Sequence, residues 1–210
     1  MNRGRIILSI LCMLISFLCV QPQVCNAATP PAEYEVWDRM PAEAEVNARL
    51  KATEPISLYN APRGTTDVGS IAAEEIVQRI SCVAYTHPQK HPVQVLRPVK
   101  SYKKNNGRGG PAGPLLQPGS YVYLLMYTGE GTYLGWYNGE EAWWLDGSRV
   151  SNFSKIVPKQ PWGEYVGEAT SSQLSVEVWY CLRKADGTTG WTMVAKNGEF
   201  SNKKLKAHWK

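Results

Sequence analysis

The sequence has no apolar run long enough to cross a membrane. Its longest run, residues 6–20, ends at Gln21 after about 15 residues, whereas a transmembrane helix needs about 20. A run of this length behind Arg3 and Arg5 is typical of a secretory signal peptide. The small residue Ala27 predicts cleavage before Ala28, and the alternative is an uncleaved anchor. We therefore expect an exported protein, periplasmic or extracellular, with no stable membrane span after processing.

Cysteine is scarce, and most of it lies in the predicted signal peptide. Three of the five cysteines fall within residues 1–27, so the mature chain of 210 − 27 = 183 residues keeps Cys82 and Cys181. In an oxidising compartment these two could form one disulfide, closing a loop of about 100 residues and adding a few kcal/mol of stability. The alternative is a pair of separate buried thiols.

The chain also lacks a strong excess of charge of either sign. Its net charge of +5 falls to 21 − 18 = +3 once the leader and its two arginines are removed. Proteins that bind nucleic acid usually concentrate Lys and Arg on one face, whereas here these residues are scattered. We expect no nucleic-acid partner. The remaining length is enough for one large domain or two small ones.

Residues that could carry nucleophilic or metal chemistry are few. Cys82 and Cys181 lie in the middle of predicted strands, not at a helix start beside a base. The spacing of His87 and His91 would suit a metal bound by a helix, but the proline after each histidine argues against that helix. A third ligand is not marked either. We therefore predict no catalytic residue, no metal site and no cofactor.

Acidic residues near aromatic side chains leave one enzymatic alternative open. Hydrolysis of a glycan needs two carboxyl groups about 5–10 Å apart. Glu130 or Glu140 together with Asp146 would form the pair, and the neighbouring Trp and Tyr side chains could hold a sugar ring. The simpler interpretation is that these acids, with Glu141, are charges of turns and strand edges.

The mature chain begins with an arm rich in Pro and Ala. We predict that residues 28–41 form a flexible arm, although Tyr34 and Trp37 could dock it on the domain. In residues 42–52 apolar and polar residues alternate without interruption. This period of two predicts a half-buried strand, even though the residue types themselves favour helix.

Short segments with turn residues between them predict an all-β fold, either a small barrel or a sandwich. Asn138-Gly139 and Asp186-Gly187 are typical of hairpin turns. Residues 100–119, rich in Gly, Pro, Lys and Arg, predict a flexible loop that marks the clearest boundary, and residues 155–167 predict a connector. The predicted strands are residues 55–59, 76–85, 93–99, 121–127, 132–137, 140–145, 176–183 and 188–194.

Aromatic residues are abundant, with eight Trp and eleven Tyr. They supply large rigid surfaces for binding sugars or peptides, although small β barrels also use them as core. Trp179 shares a strand face with Glu177 and Arg183, while the adjacent Trp143 and Trp144 should face opposite ways and cannot both enter one core. The candidate ligand-binding residues are Trp136, Tyr137, Trp143, Trp144, Trp179, Tyr180 and Trp191.

Two groups of motifs resemble the bacterial SH3-like (SH3b) domain. Residues 55–64 with 68–71 are similar to its opening strands, and residues 178–180 with 186–192 are similar to its close. Residues 119–139 are similar to a stretch found in exported SH3-containing bacterial proteins of undefined role. The resemblance implies SH3-like small barrels that bind cell-wall peptides or glycans, often beside an enzyme.

The opening and closing motifs lie more than about 100 residues apart, whereas one such domain needs about 60–70 residues. Either one domain carries a large insertion, or two SH3-like units pack together. We divide the chain into an SH3-like unit at 42–150, which contains the loop 100–119, and the segment 151–210. That segment is a second SH3-like unit or the closing strands of the first.

The sequence therefore predicts a secreted or periplasmic binding protein without enzymatic activity. Its ligand would be a cell-wall peptide or glycan, or an envelope protein. Two alternatives remain open. One is a cryptic hydrolase acting on the wall, and the other is an envelope inhibitor or structural protein that acts through a flat aromatic surface.

Cleavage of the leader can be measured directly. When the full sequence is expressed in a secreting bacterial host, the protein recovered from the periplasm or the medium should begin at Ala28, because signal peptidase cuts after small residues. Intact-mass spectrometry with N-terminal sequencing checks this. Recovery of the whole 23.4 kDa chain from the membrane fraction would contradict the prediction.

Overall fold

The computed structural model describes residues 28–38, 49–103, 111–154, 157–168, 174–196 and 204–208. The predicted signal peptide and residues 42–48 of the predicted alternating strand lie outside these ranges. In the described ranges, no helix has the length and the apolar character that a membrane crossing requires. The helical element described there is a short 3-10 turn, Gly147–Arg149.

Sixteen strands make up the described part of the fold, and the all-β prediction is confirmed. In chain order the first eight are β1 (Tyr34–Trp37), β2 (Arg49–Ala52), β3 (Ile56–Tyr59), β4 (Asp67–Ile71), β5 (Ile76–Thr86), β6 (Val93–Val95), β7 (Val99–Tyr102) and β8 (Ala112–Leu116). The other eight are β9 (Tyr121–Gly129), β10 (Thr132–Tyr137), β11 (Glu140–Asp146), β12 (Val150–Ser151), β13 (Gly163–Tyr165), β14 (Val176–Arg183), β15 (Thr189–Lys196) and β16 (Leu205–Ala207).

The strands form two curled sheets of eight strands each. In the first sheet the order is β16-β2-β5-β14-β15-β3-β4, and β1 also pairs with β5. In the second sheet the order is β12-β13-β6-β9-β10-β11-β7-β8. Strand β5 has 11 residues, which is long enough for β1 and β2 to share one of its edges while β14 occupies the other. The first sheet is therefore organised around β5.

The chain passes from the first sheet to the second and then returns to the first. The first sheet takes its strands from residues 34–86 and 176–207, and the second takes its strands from residues 93–165. Strands β12 and β13 thus belong to the second sheet, while β14 returns to pair with β5. The segments that resemble the opening and the close of an SH3-like domain consequently lie in one sheet, with the second sheet inserted between them.

The main core lies between the two sheets. Along β14 the side chains of Val176, Val178, Tyr180 and Leu182 enter this core, while Trp179 packs in a separate cluster with Val83 and Tyr85. The predicted alternation of β14 is confirmed. From the second sheet, the buried residues of the main core are Leu125, Met126, Leu134 and Trp143. We call the side of the first sheet that carries Trp179 its outer face.

The two predicted hairpin turns are also confirmed. Asn138 and Gly139 have φ values of 50° and 93°, so both adopt the left-handed conformation that a tight turn between β10 and β11 needs. Between β14 and β15, Gly187 has a φ of 88°, and its N–H donates to the Lys184 carbonyl. These turns depend on neighbouring residues alone, and the sequence therefore reveals them.

The arm predicted to be flexible contains strand β1. Residues Tyr34 to Trp37 pair with Thr86 to Val83 of β5, and the side chain of Val36 is buried in the main core. These four residues form a strand because the edge of β5 supplies hydrogen-bond partners that the composition of the arm does not show.

The loop predicted at 100–119 is in part a hairpin. Strands β7 and β8 pair from Val99 with Leu116 to Tyr102 with Ala112, and β8 forms the edge of the second sheet. An edge strand tolerates proline. Because β8 contains a proline, the sequence pattern predicted a loop here and not a strand. A Cβ atom at Gly113 would lie 2.6 Å from the Tyr102 carbonyl, so the glycine allows a close backbone approach. The predicted connector 155–167 likewise contains β13.

The two cysteines form no disulfide with each other. Cys82 lies opposite Tyr180 and belongs to the main core, whereas Cys181 lies opposite Ser81 on the outer face. Neighbouring strands therefore direct the two thiols to opposite sides of the sheet. In this geometry the two sulfur atoms cannot form a disulfide. Both side chains are buried, and burial raises the pKa of the Cys181 thiol.

Arg79 is the largest side chain that is fully buried, at 1 % exposure. Its Nε and Nη2 atoms have no hydrogen-bond partner in the described part of the chain, and its guanidinium lies over the Tyr180 ring, 4.9 Å from the centroid. A buried cation with incomplete hydrogen bonding costs several kcal/mol of desolvation. Its contact with the ring offsets part of that cost.

Replacing this cation by an apolar side chain of similar length should stabilise the fold. We expect Arg79→Met to raise the free energy of unfolding in urea by about 1–3 kcal/mol, because the desolvation cost disappears while the volume is kept. The control is Arg49→Met, an exposed position on neighbouring β2, which should change stability by less than about 0.5 kcal/mol. A loss of stability in Arg79→Met would contradict the prediction.

Candidate functional site

Two strands that flank β5 carry the same three residues in order, and in both the glutamate and the tryptophan lie on the outer face. Glu35-Val36-Trp37 lies in β1 and Glu177-Val178-Trp179 lies in β14. In both pairings the glutamate is opposite Tyr85 and the tryptophan is opposite Val83. Two rows therefore cross the sheet, one with an acid on each side of a tyrosine and one with a tryptophan on each side of a valine.

In each of these segments the indole donates to the carboxylate two residues earlier. Trp37 Nε1 lies 3.1 Å from the Glu35 carboxylate, and Trp179 Nε1 lies 2.6 Å from that of Glu177. Residues i and i+2 of a strand point to the same side, so the glutamate is placed to orient the indole ring. Glu141 and Trp143 of β11 form the same bond in the interior.

Arg63 ties the β14 half of this arrangement to the N-terminal segment. Its Nε donates to Glu177 at 2.8 Å, and its Nη1 and Nη2 donate to the two carboxylate oxygens of Glu33 at 2.8 and 2.9 Å. Its Cζ lies 3.8 Å from the centroid of the Tyr85 ring. A guanidinium with a forked contact to one acid and a second acid at its Nε is held in one orientation.

The charges of this group are strongly coupled. The hydrogen bonds from Arg63 lower the pKa of Glu33. Burial alone would raise the pKa of Glu177, but the hydrogen bonds from Arg63 and Trp179 outweigh it, so this pKa is also lowered. The two acids in turn raise the pKa of Arg63. All three groups are therefore ionised at neutral pH.

Aromatic rings extend the outer face towards β3 and β15. Tyr59 and Trp179 meet edge to face with centroids 6.2 Å apart, and Trp37 and Trp191 do so at 5.7 Å. Since β5 and β14 separate β1 from β15, the rings of Trp37 and Trp191 must lie across the sheet to meet. We call the set Trp37, Tyr59, Tyr85, Trp179 and Trp191 the aromatic platform.

A cleft of about 730 Å³ opens at the Tyr59 end of the platform. Strands β3 and β15 pair at Tyr59 and Trp191, and the cleft lies beside that pairing. Its charged lining residues are both cations, Arg63 and Lys204. The full lining is Pro55, Ile56, Ser57, Tyr59, Arg63, Gly64, Thr65, Trp179, Thr192, Met193 and Lys204.

The structure separates the seven aromatic residues that the sequence marks as ligand-binding candidates. Trp179 and Trp191 lie on the aromatic platform. The other five lie in the interior, namely Trp136, Trp143, Trp144 and Tyr180 in or against the main core and Tyr137 in the core of the second sheet. The site therefore includes Trp179 and Trp191 and leaves out the other five.

The prediction that Trp143 and Trp144 cannot both enter one core is wrong. Both pack in or against the main core. The pairing of β10 with β11 passes from Tyr133–Leu145 to Gly135–Ala142, which places one extra residue on β11, and Trp144 has a φ of 66°. This bulge rotates Trp144 out of the alternation.

Sequence reasoning missed Arg63, Tyr59 and Met193 as parts of the site. Arg63 follows β3 in a turn, and its acidic partners are 30 and 114 residues away, so no local pattern marks it. The repeated Glu-Val-Trp at residues 35–37 and 177–179 was the available signal. It relates two strands that the fold brings to either side of β5.

Of the two acid pairs in the enzymatic alternative, the fold does not bring Glu140 and Asp146 together. Glu140 and Asp146 lie at opposite ends of β11, about 20 Å apart for six residues of strand. Asp146 caps the 3-10 turn by accepting from the Ser148 N–H and hydroxyl. The cleft is lined by neither of them, nor by Glu130. Glu177 of the platform has a lowered pKa, whereas a general acid needs a raised one.

Comparisons with models of known protein families, with curated proteins and with solved structures find no match to this chain. The resemblance to SH3-like domains therefore stays a prediction.

The Arg63 network makes a prediction about acid stability. The pKa values of Glu33 and Glu177 are lowered by folding, so the stabilisation is present above the ordinary glutamate pKa of about 4.3 and is lost as the pH falls through the lowered values. We expect Arg63→Gln to lower the free energy of unfolding by about 1 kcal/mol at pH 7. Below pH ~4.3 this free energy should fall less steeply in the variant than in the wild type. Urea unfolding from pH 7 to pH 3 measures both.

Arg183→Gln is the matched control, since Arg183 is an exposed arginine at the end of β14. Its free energy of unfolding should fall in acid as steeply as that of the wild type. If the free energies of unfolding of Arg63→Gln and of the wild type fall in parallel, Arg63 does not hold these two acids.

Proposed function

We propose that this protein is an exported binding protein that holds a peptide or a glycan of the cell envelope in the cleft beside the aromatic platform. The observation that carries the proposal is the cleft of about 730 Å³, in which Tyr59 and Trp179 lie beside the cations Arg63 and Lys204. Clefts of about 300–1,000 Å³ with apolar walls and a few oriented polar groups are the usual form of ligand sites.

The residues that line the cleft offer two kinds of contact. Tyr59, Trp179 and Met193 supply apolar and aromatic surface, and Met193 is 41 % exposed. Ser57, Thr65 and Thr192 supply hydroxyl groups that donate and accept. Aromatic rings beside hydroxyls and cations suit ligands that carry both apolar and polar groups, as peptides and glycans do.

The cleft is also pre-organised. Trp179 is 7 % exposed, and its indole is held by Glu177, which is itself held by Arg63. The ring of Tyr59 packs edge to face on that of Trp179. Because these side chains are already ordered, little entropy remains to be lost when a ligand binds.

The predicted leader and the SH3-like motifs support the cellular part of the proposal. A protein exported through residues 1–27 would meet wall peptides, wall glycans and envelope proteins rather than cytoplasmic metabolites. In the family that the motifs resemble, binding of wall components is the common role.

Binding to purified wall fragments tests the proposal. The probes are soluble muropeptides and peptide-free glycan strands, measured separately by isothermal titration with the mature protein. We expect one of the two to bind, and Tyr59→Ala and Met193→Ala each to weaken binding about tenfold, as for residues at the centre of an interface. Both positions line the cleft and belong to strands.

The control is Tyr127→Ala, which removes an exposed tyrosine, at 38 %, from the second sheet. Circular dichroism shows whether each variant folds. The proposal fails if neither wall probe nor any envelope protein binds, or if the control weakens binding as much as Tyr59→Ala. Cleavage of peptidoglycan by the purified protein would favour the enzymatic alternative.

A further inference from the structure

The two halves of the aromatic platform are matched, but one half contains a bound cation. On β14, Glu177 accepts from Arg63 and from the Trp179 indole, and the guanidinium of Arg63 lies over the Tyr85 ring. On β1, Glu35 and Trp37 occupy the equivalent positions beside Tyr85 and Val83. Arg63 therefore shows how a glutamate and an aromatic ring on this face bind a cation.

The contacts of Arg63 show which groups bind a cation on the outer face. A carboxylate that already accepts an indole N–H accepts a second hydrogen bond from the cation, at 2.8 Å in the case of Arg63 and Glu177. An aromatic face lies against the cation, here the Tyr85 ring at 3.8 Å. Carboxylate and ring together compensate the desolvation of the charge.

In the β1 half, the described residues give the carboxylate no such cationic partner. Glu35 accepts the Trp37 indole N–H, and in the described part of the chain no Lys, Arg or His forms an ion pair with it. The Trp37 ring beside it is 39 % exposed. An incoming cation could therefore reach both the carboxylate and the ring from solvent.

The distribution of charge favours a cation on this side. Burial raises the pKa of Tyr85, and the charge of Glu35, which lies opposite it on β1, raises that pKa further. On the opposite side Lys196 lies across from Glu177 and lowers its pKa further. Since Arg63 pairs with Glu33 and Lys196 lies across from Glu177, the negative charge that remains on the β1 side is that of Glu35.

We infer that Glu35 and Trp37 form a subsite for a cationic side chain, an arginine or lysine, of a peptide bound along the outer face. The inference rests on the proposed function and narrows its ligand class from peptide or glycan to a peptide that carries a positive charge. The carboxylate of Glu35 would accept hydrogen bonds from the cation, and the indole face of Trp37 would cover it.

The test uses N-acetyl-arginine amide as a probe of the subsite, with N-acetyl-citrulline amide as the neutral probe of nearly identical shape. The indole signals of the ¹⁵N-labelled mature protein are followed by NMR, and the Trp37 signal is assigned with Trp37→Phe. We expect the arginine probe to shift the Trp37 indole signal in a saturable manner with millimolar affinity, and the citrulline probe to bind at least about fivefold more weakly, because it lacks the charge.

Glu35→Gln keeps the size of the side chain and removes its charge, so it should abolish the difference between the two probes. The matched control is Glu140→Gln, an exposed glutamate at the start of β11 in the second sheet, which should leave the difference unchanged. Equal shifts with both probes, or an unchanged difference in Glu35→Gln, would overturn the inference.

The outcome is separable from that of the proposed function. If muropeptides or glycan strands bind while the arginine probe leaves the Trp37 signal in place, the subsite is wrong and the proposed function stands. If the arginine probe binds at Trp37 and no wall fragment or envelope protein binds, the subsite stands and the proposed ligand is wrong.

Discussion

The contacts of Arg63 are the constraint on which the candidate site depends. One guanidinium holds Glu33 of the N-terminal segment, Glu177 of β14 and the ring of Tyr85 on β5. These three elements are far apart in sequence, and without the cation two carboxylates would lie near each other over one ring. The same contacts fix β1 at the edge of β5, orient Trp179 through Glu177 and form one wall of the cleft. A single side chain therefore links the assembly of the first sheet to the shape of its outer face.

The alternation of strands determines how the site is built. Because side chains two residues apart share a face, a glutamate can hold the indole of a tryptophan two positions later, and the chain uses this arrangement in β1, β11 and β14. The copies on β1 and β14 flank β5 in the same register and so form the platform. The copy on β11 lies inside, where Glu141 also accepts from the Tyr34 hydroxyl. One local pattern thus contributes to the surface or to the core according to the face its strand exposes.

Local patterns in the sequence were enough to predict the all-β class, the hairpin turns and the two faces of β14. They could not predict which distant strands pair. The pairing of β1 with β5 converts a Pro- and Ala-rich arm into a strand, and an edge hairpin occupies part of a segment rich in Gly and Pro. The site shows the same limit, since Trp179 could be named from its strand whereas Arg63 acts across 30 and 114 residues of sequence. The bulge at Trp144 likewise depends on the register with β10.

If ligands are held on the outer face that Arg63 organises, the indole signals of the tryptophans on that face should respond to binding. Among the described tryptophans, Trp37, Trp179 and Trp191 lie on this face, while Trp136, Trp143, Trp144 and Trp162 are in the interior. The most direct measurement is the ¹H–¹⁵N spectrum of the indole groups during titration with soluble muropeptides. We predict that the signals of Trp179, Trp191 and Trp37 shift together while the interior signals stay in place. Shifts confined to the interior tryptophans would contradict it.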